Sequence, residues 1–422
     1  MTTLFEPLTL PNGAVISNRL CKAAMEENMA EPGQVPGQAL INLYTKWAAG
    51  GPGIILTGNV MVAPDAMTGP GGVYLGKGVL DDPDVRAIFE KWAQAGKSGG
   101  SQLYMQISHP GRQVYASMGT DIVSASNTRV KMDGPAAKMF AESRALTGEE
   151  VEAMITRFAD TAEAAKSAGF DGVQVHSAHG YLVAQFLSPL TNKRKDKWGG
   201  PLENRARFLL EIVRAVRKRV GDNFGVAVKL NSADFQRGGF DVEDARQVVE
   251  WLNGEAVDFV ELSGGNYESA AMAGLPDDGR SESTKEREMY VIDFARDITA
   301  SARMPIMVTG GVTKRSTAED ALSDGSIDII GIARSFGFNA NIPDDWKNGR
   351  NLEVPLPVIK SKNKTFLVLA GMALTKENLY RMGTGKPPRQ NQSPLRAVIK
   401  GQFRQAKQTK RYKKWLAKSG LI

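Results

Sequence analysis

Residues 147–182 read T-G-E-E-V-E-A-M-I-T-R-F-A-D-T-A-E-A-A-K-S-A-G-F-D-G-V-Q-V-H-S-A-H-G-Y-L, and the fold turns on how that stretch divides. Thr147 followed three residues later by Glu150 is a capping-box opening, in which hydroxyl and carboxylate each take up a backbone N–H at the helix start. Val151, Met154, Ile155, Phe158, Ala162 and Ala165 then recur on one helical face until Gly169 stops the pattern. Beyond it the period changes: Gly172–His176 is a short, nearly continuous apolar run, suited to a strand covered on both faces. The stretch is one helix–strand step of a parallel β/α array.

Working outward, seven more runs have this character: Leu20–Met25, Gly53–Val60, Gln102–Ser108, Gly225–Leu230, Asp258–Ser263, Pro305–Thr309 and Asp328–Ala333. Amphipathic stretches separate them, clearest at Leu202–Val220 and Val242–Asn253. Eight strands alternating with helices predict an α/β fold, a (β/α)8 TIM barrel over residues 1–350. A doubly wound sheet fits less well, because no G-x-G-x-x-G follows a strand. Two connections are long, Ala116–Leu146 and Gly264–Ser283. Both leave the C-terminal ends of strands, where barrel enzymes carry their chemistry, and the first is a candidate lid.

Composition narrows the class. Of 422 residues, 42% are hydrophobic and 23% charged, an ordinary globular balance. The single cysteine, Cys21, rules out an internal disulfide, a thiolate zinc site and an iron–sulfur cluster. No basic segment followed by an apolar run opens the sequence, and Phe366–Leu374 is far short of the ~20 residues that span a bilayer, so a cytoplasmic protein without a membrane partner is expected. The net charge of +7 is uneven: residues 351–422 hold 16 Lys/Arg against 2 Asp/Glu, which leaves the first 350 at −7.

All three histidines fall at the expected C-terminal face. His109 follows the third strand in I-S-H-P-G-R; His176 and His179 follow the fourth, with Tyr181 two residues on. A structural histidine satisfied by backbone is the plainer alternative, above all for His109. An H-x-x-H metal pair lacks a third histidine nearby, and no metal site is expected. Lys229 lies inside V-A-V-K-L, where a lone ammonium is expensive without an anion. A bound anionic cofactor is the favoured explanation, a solvent-reaching lysine the other. Gln106 is an amide in an apolar run, either turned toward a polar ring or bonded to backbone. Gly310 and Gly311 close the seventh strand, and Ala333 and Arg334 follow the eighth in G-I-A-R, the places where barrels cradle a phosphate.

From His176 to Arg205 the chain reads H-S-A-H-G-Y-L-V-A-Q-F-L-S-P-L-T-N-K-R-K-D-K-W-G-G-P-L-E-N-R, which resembles the signature of the Old Yellow Enzyme family of FMN-dependent ene-reductases. The N-terminal L-F-E-P-L-T-L…N-R, H-P-G-R and G-G…G-x-A-R segments match in the same order, so the resemblance covers residues 3–345. It implies FMN at the C-terminal face, NADPH or NADH as reductant, and a small electrophilic alkene as substrate. It further implies that His176 and His179 hold the substrate carbonyl and that Tyr181 donates a proton to the α-carbon. Gln106 and Lys229 would meet the flavin pyrimidine; Gly310, Gly311, Ala333 and Arg334 its phosphate; and Ala24, Met25 and Asn59 its ring.

The sequence also departs from that family. Its first strand reads K-A-A-M-E-E-N-M, with Ala24 where Pro is usual and Glu26 where Thr or Cys is usual, so a carboxylate is expected at the flavin edge. Lys229 replaces an Arg. A tRNA-dihydrouridine-synthase-like flavoenzyme would suit the basic tail but resembles enzymes with a loop cysteine, absent here; a non-catalytic flavin or nucleic-acid-binding protein sits poorly with intact His176, His179 and Tyr181. In the tail, Ser393 and Pro394 make an N-cap and first-turn pair, and Leu395, Val398, Ile399, Phe403, Ala406, Tyr412, Trp415 and Leu416 recur at helical spacing. A C-terminal helical extension over 351–422 is expected, packed on the barrel or on a second subunit, with homo-oligomerisation open and no nucleic-acid role.

Overall fold

Parallel strands form at all eight places where the apolar runs occur. The structure, a computed structural model, describes residues 3–131, 139–265, 268, 295–361 and 363–421. The strands are β1 (Leu20–Lys22), β2 (Ile54–Leu56), β3 (Gln102–Ser108), β4 (Gly172–Ser177), β5 (Gly225–Asn231), β6 (Phe259–Ser263), β7 (Ile306–Thr309) and β8 (Ile329–Ile332). Each pairs with the next in sequence, and β8 returns to β1 through Ile330↔Leu20, Gly331↔Cys21 and Ile332↔Lys22. The sheet is a closed eight-stranded barrel.

The first two strands fall three or more residues short of their apolar runs, for local reasons. Past β2, the Gly58 N–H donates to Glu27 Oε1 at 3.1 Å instead of to a neighbouring strand. The chain rejoins β3 only at Val60–Met61, opposite Ile107 and Ser108. After β1 the ladder stops once the Ala23 N–H has donated to the Ile332 carbonyl. Residues 24–28 are thereby released as a loop over the barrel mouth.

The helices surround the barrel: α1 (Gln38–Ala49), α2 (Pro83–Lys97), α3 (Gly148–Ser167), α4 (Leu182–Leu187), α5 (Leu202–Val220), α6 (Val242–Leu252), α7 (Arg315–Leu322), α8 (Ile342–Lys347), α9 (Lys364–Gly383) and α10 (Pro394–Lys418). The capping box forms as the sequence implies: Glu150 N–H donates to Thr147 Oγ1 at 3.2 Å and Thr147 N–H to Glu150 Oε2 at 2.8 Å. The period-2 geometry of the strands sorts their side chains into two cores. Val173, Val175, Val226 and Val228 join Phe158 and Leu209 beneath the helices. Ile54, Leu56, Tyr104, Ala227, Phe259, Met307 and Ile329 fill the barrel interior.

Lys22 is a fully buried cation on the helix side of β1. Its Nζ donates to the Leu56 carbonyl at 2.8 Å, lies 3.9 Å from Glu27 and sits 4.0 Å from the centre of the Trp47 ring. Burial pulls its pKa down to about 8, against the opposing pull of Glu27. Glu27 also accepts from the Tyr44 hydroxyl at 2.6 Å, so this buried cluster fixes where the loop after β1 departs.

The basic tail forms α9 and α10. The Tyr380 hydroxyl and Gln408 Nε2 both donate to the Asn28 carbonyl, at 2.5 and 2.6 Å, and Lys376 donates to the Asn28 side chain. Arg411 pairs with Glu31 at 2.9 Å. Tyr412 is buried, and its hydroxyl donates to the Pro64 carbonyl at 2.9 Å. The extension thus braces the loops after β1 and β2. The apolar stripe is only half used, however. Tyr412 and Leu416 are buried together with Ala397, whereas Leu395, Ile399 and Phe403 are 58%, 46% and 76% exposed, because at helical spacing they lie on a different face of α10. Among the described residues no helix is long and apolar enough to cross a membrane.

Removing the Tyr412 anchor should free α10 without unfolding the barrel. Tyr412→Ala deletes a buried aromatic ring, a change that typically costs about 3–5 kcal/mol. Amide exchange across 394–418 should accelerate while β3–β5 stay protected. Equal acceleration in both places would show the extension and barrel to be one cooperative unit.

Candidate active site

The barrel interior changes character along its axis. At the N-terminal end it is apolar, with Tyr104 and Phe259 in edge contact at 5.3 Å. Toward the C-terminal end the inward positions of β3 to β6 become Gln106, Gln174, Lys229 and Glu261. Gln106 Nε2 donates to Gln174 Oε1 at 2.7 Å, Gln174 Nε2 donates to Glu261 Oε2 at 2.7 Å, and Lys229 Nζ donates to Glu261 Oε1 at 2.5 Å. All four are buried. This corrects the reading of Lys229 as a cation awaiting a bound anion: Glu261 already supplies its counter-charge. The test applied to Lys229, a charged residue in an apolar strand, also marks Glu261 in F-V-E-L-S and would have found it.

One layer higher lie the histidines. His176 Nδ1 is 3.4 Å from Ser108 Oγ, His176 Nε2 is 3.2 Å from His179 Nδ1, and His179 Nε2 is 2.8 Å from Ser263 Oγ. The Tyr181 ring lies 4.7 Å from the His176 ring, centre to centre. His179 takes a left-handed backbone, φ +58°, uncommon for a side-chain-bearing residue. The strain is held by two clamps: the His179 N–H donates to Asn231 Oδ1 at 3.0 Å, and Gln113 Nε2 donates to the His179 carbonyl at 3.0 Å. Gly180 follows at φ +73°, and together they turn the chain sharply enough to bring Tyr181 back over His176.

Burial holds both His176 and His179 well below the usual imidazole range; the neighbouring ring adds to this at His176, and Lys229 lowers both. Both rings are therefore neutral at physiological pH. His109 stands apart. Its Nδ1 accepts from the Gly111 N–H at 3.0 Å, its carbonyl accepts from the Leu182 N–H, and burial pushes its pKa to about 3. It organises the loop after β3, as the plainer alternative had it.

The other expected residues lie on loops that leave the same end of the barrel, after β1, β2, β7 and β8. Asn59 Nδ2 donates to Glu26 Oε1 at 3.2 Å, and Lys376 Nζ lies 4.0 Å from Glu26 Oε2. Ala24 packs against the interior core and Met25 against the helix-side core. Gly311, at φ +56°, follows β7, and Arg334 opens a 3-10 turn after Ala333. Ser335 Oγ donates to the Val312 carbonyl at 3.3 Å, tying the two phosphate-candidate loops together. Between the ends of β7 and β8, a Cβ on Gly331 would collide with Thr309 Oγ1.

The candidate lid holds a 3-10 turn at Ala116–Met118 and a small parallel pairing of Val123–Ser124 with Arg144–Ala145; residues 132–138 lie outside the described residues. Of the Gly264–Ser283 connection only Gly264, Gly265 and Glu268 are described. Glu268 pairs with Arg112 at 2.6 Å, linking the loops after β3 and β6.

A flat polar cofactor fits the chemistry left open here. Asn59 Oδ1 and Thr309 Oγ1 are buried without a hydrogen-bond partner among the described residues, and Gln106 Oε1 also lacks one. Buried polar atoms of this kind ordinarily find partners. Among the described residues no group of His, Cys, Asp and Glu is placed to hold a metal ion.

Fold and site together define a flavin-dependent barrel oxidoreductase. Residues 3–353 match the model of the NADH:flavin oxidoreductase / NADH oxidase family, and the chain belongs to that family, the Old Yellow Enzyme family of the sequence reading. It is 34% identical over 350 residues to the NADH-dependent flavin oxidoreductase iliE of Hypocrea jecorina, covering 80% of this chain and 87% of that protein. To nadA of Aspergillus parasiticus, another NADH-dependent flavin oxidoreductase, it is 36% identical over 358 residues, covering 85% and 79%. The NADH oxidase of Thermoanaerobacter brockii is 33% identical over 345 residues, but the chain spans only 50% of its length. Among solved structures, a 2-naphthoyl-CoA reductase superposes with TM-score 0.73 at 28% identity, covering 83% of this chain and 53% of that one. Morphinone reductase, at TM-score 0.69 and 23% identity over 86% and 94%, shares the fold. The protein is an enzyme that uses FMN with a reduced nicotinamide nucleotide.

Neutral histidines give a sign to the pH dependence. The folded pKa values of His176 and His179 lie below the unfolded value of about 6.5, so their contribution to stability is complete above that pH and is lost as pH falls, when the unfolded chain takes up protons the folded rings refuse. NMR of the imidazole nitrogens should show both rings neutral from pH 8 down to the onset of acid unfolding. A ring titrating near 6.5 in the folded protein would contradict the assignment.

Proposed function

We propose that the enzyme reduces C=C bonds conjugated to a carbonyl group, with His176 and His179 binding the carbonyl oxygen and Tyr181 delivering a proton to the α-carbon. The observation that carries this reading is the compact cluster of two neutral imidazoles and one phenol at the barrel mouth. A neutral imidazole can donate a hydrogen bond to an oxygen that gains negative charge without first surrendering its own proton to it. Donors fixed at such a position are worth about 3–4 kcal/mol each to the transition state. Tyr181, buried at the start of α4, is held by the left-handed turn at 179–180 rather than by a flexible loop, which favours a single direction of approach.

FMN supplies the reducing equivalents that the nicotinamide nucleotide brings. In this reading Gln106 and Lys229 meet its pyrimidine edge. Ala24, Met25 and Asn59 line its ring with Glu26 beside them, and Gly310, Gly311, Ala333 and Arg334 hold its phosphate. The support is the chemistry of the donor set: an unpartnered amide oxygen at Gln106, an unpartnered Asn59 Oδ1, and a glycine with left-handed backbone at Gly311. Lys229 has further N–H groups beyond the one given to Glu261.

Tyr181→Phe separates proton delivery from everything else at the site. Reduction of the enzyme by NADH or NADPH should proceed at nearly the wild-type rate, while reoxidation by a small enone slows by about 10²–10⁴, the usual weight of a general acid. Rapid-mixing absorbance at the flavin band measures both halves. Equal slowing of both, or of neither, would remove Tyr181 from the role of acid.

A further inference from the structure

The buried chain Gln106–Gln174–Glu261–Lys229 has a fixed polarity that originates at one residue. A carboxylate paired with an ammonium accepts hydrogen bonds and donates none. Glu261 Oε2 therefore obliges Gln174 to turn its NH2 toward it, at 2.7 Å. The carbonyl of Gln174 then faces β3 and obliges Gln106 to present its own NH2, again at 2.7 Å. The remaining sense of the Gln106 amide is thereby set: Oε1 and one N–H point away from the chain. Parallel register sets two of the three contacts, since Gln174 stands opposite Gln106 and Lys229 opposite Glu261 on adjoining strands, and the Gln174–Glu261 bond spans β5 across the interior.

We propose that Glu261 is a positioning residue for the cofactor. Through Gln174 it dictates which edge of the Gln106 amide meets the pyrimidine ring of FMN, and through Lys229 it limits the positive charge felt by that ring. The inference rests on the placement of Gln106 and Lys229 against FMN proposed above. Glu261 is fully buried beneath that position and need touch neither cofactor nor substrate to act. The relay also specifies a single arrangement, because any reversed amide would leave a buried acceptor facing an acceptor.

The two effects separate by mutation, read in the purified holoenzymes as midpoint potential and in the stripped proteins as FMN dissociation constant. Glu261→Gln leaves the Lys229 charge unbalanced, which should favour reduced over oxidised FMN by about tenfold and so raise the potential by about 30 mV for this two-electron couple. Glu261→Asp, which keeps the charge, should restore the wild-type potential. Gln174→Met keeps the Lys229–Glu261 pair but cuts the relay, and should weaken FMN binding about tenfold with the potential unmoved. A wild-type potential in Glu261→Gln, or a wild-type FMN affinity in Gln174→Met, overturns the proposal, and the second result stands even where the first variant fails to fold. Lys229→Met tests the placement beneath it. Unchanged affinity and potential there would mean that Lys229 does not meet FMN; a change there with none in Glu261→Gln would count against Glu261 alone.

Discussion

A carboxylate at the centre of a barrel is tolerable only if its charge is matched and its oxygens are hydrogen-bonded, and Glu261 meets both demands with Lys229 from the neighbouring strand and Gln174 from the one beyond. Much of the mouth follows from that arrangement. Lys229 can be buried because Glu261 is there. Gln174 can occupy an inward position because its two ends have defined partners. The histidine layer above sits beside a compensated pair instead of a bare cation, so its neutrality comes chiefly from burial, with Lys229 a lesser contribution.

The order of the strands was legible because parallel strands covered on both faces must be apolar runs, and every one of those runs is a strand of the barrel. His176, His179 and Tyr181 were legible because their spacing and surrounding motif are specific, and the structure brings the three into one cluster. Glu261 stands out as a charge in an apolar run, as Lys229 does, but a polar residue in a strand declares only that it has a partner; that the partners are Lys229 and Gln174, across the sheet, no local pattern reveals. Lys22, Glu27 and Tyr44 were hidden in the same way, since Glu27 and Glu26 look alike in E-E and only the fold sends one inward to Lys22 and the other toward Asn59.

The extension shows where amphipathic periodicity stops being informative. Leu395, Ile399 and Phe403 recur every four residues, but at roughly 100° per residue Tyr412 and Leu416 fall on another face of the helix, and it is that face which is buried. Ala397, Tyr412 and Leu416 share the buried face along the length of α10, and its C-terminal half carries the large side chains on that face. What that half secures is the loop after β1. Three side chains, from α9 and α10, converge on Asn28, two residues from Glu26, and Lys376 reaches Glu26 itself. Residues outside the family match at 3–353 thus hold the segment that carries Glu26. A carboxylate at that position comes with its own ammonium, supplied from the extension.

The hydrogen inventory of the histidine pair bears on how a substrate oxygen would be received. Two neutral imidazoles carry two N–H groups between them. In the chain Ser108–His176–His179–Ser263 one of these lies between the rings and the other at one end. The serine hydroxyls at the termini can rotate to donate or accept, so the chain tolerates either tautomeric order. Both rings can donate to a single oxygen only if the bond between them is given up. On the proposed reading, substrate binding exchanges one imidazole–imidazole hydrogen bond for two directed at the carbonyl, and each ring keeps one bare nitrogen, to which Ser108 and Ser263 donate. One ring must shift its proton from the outer to the inner nitrogen, a change of tautomer that leaves both rings neutral, and the flanking serines supply a donor to the nitrogen so vacated.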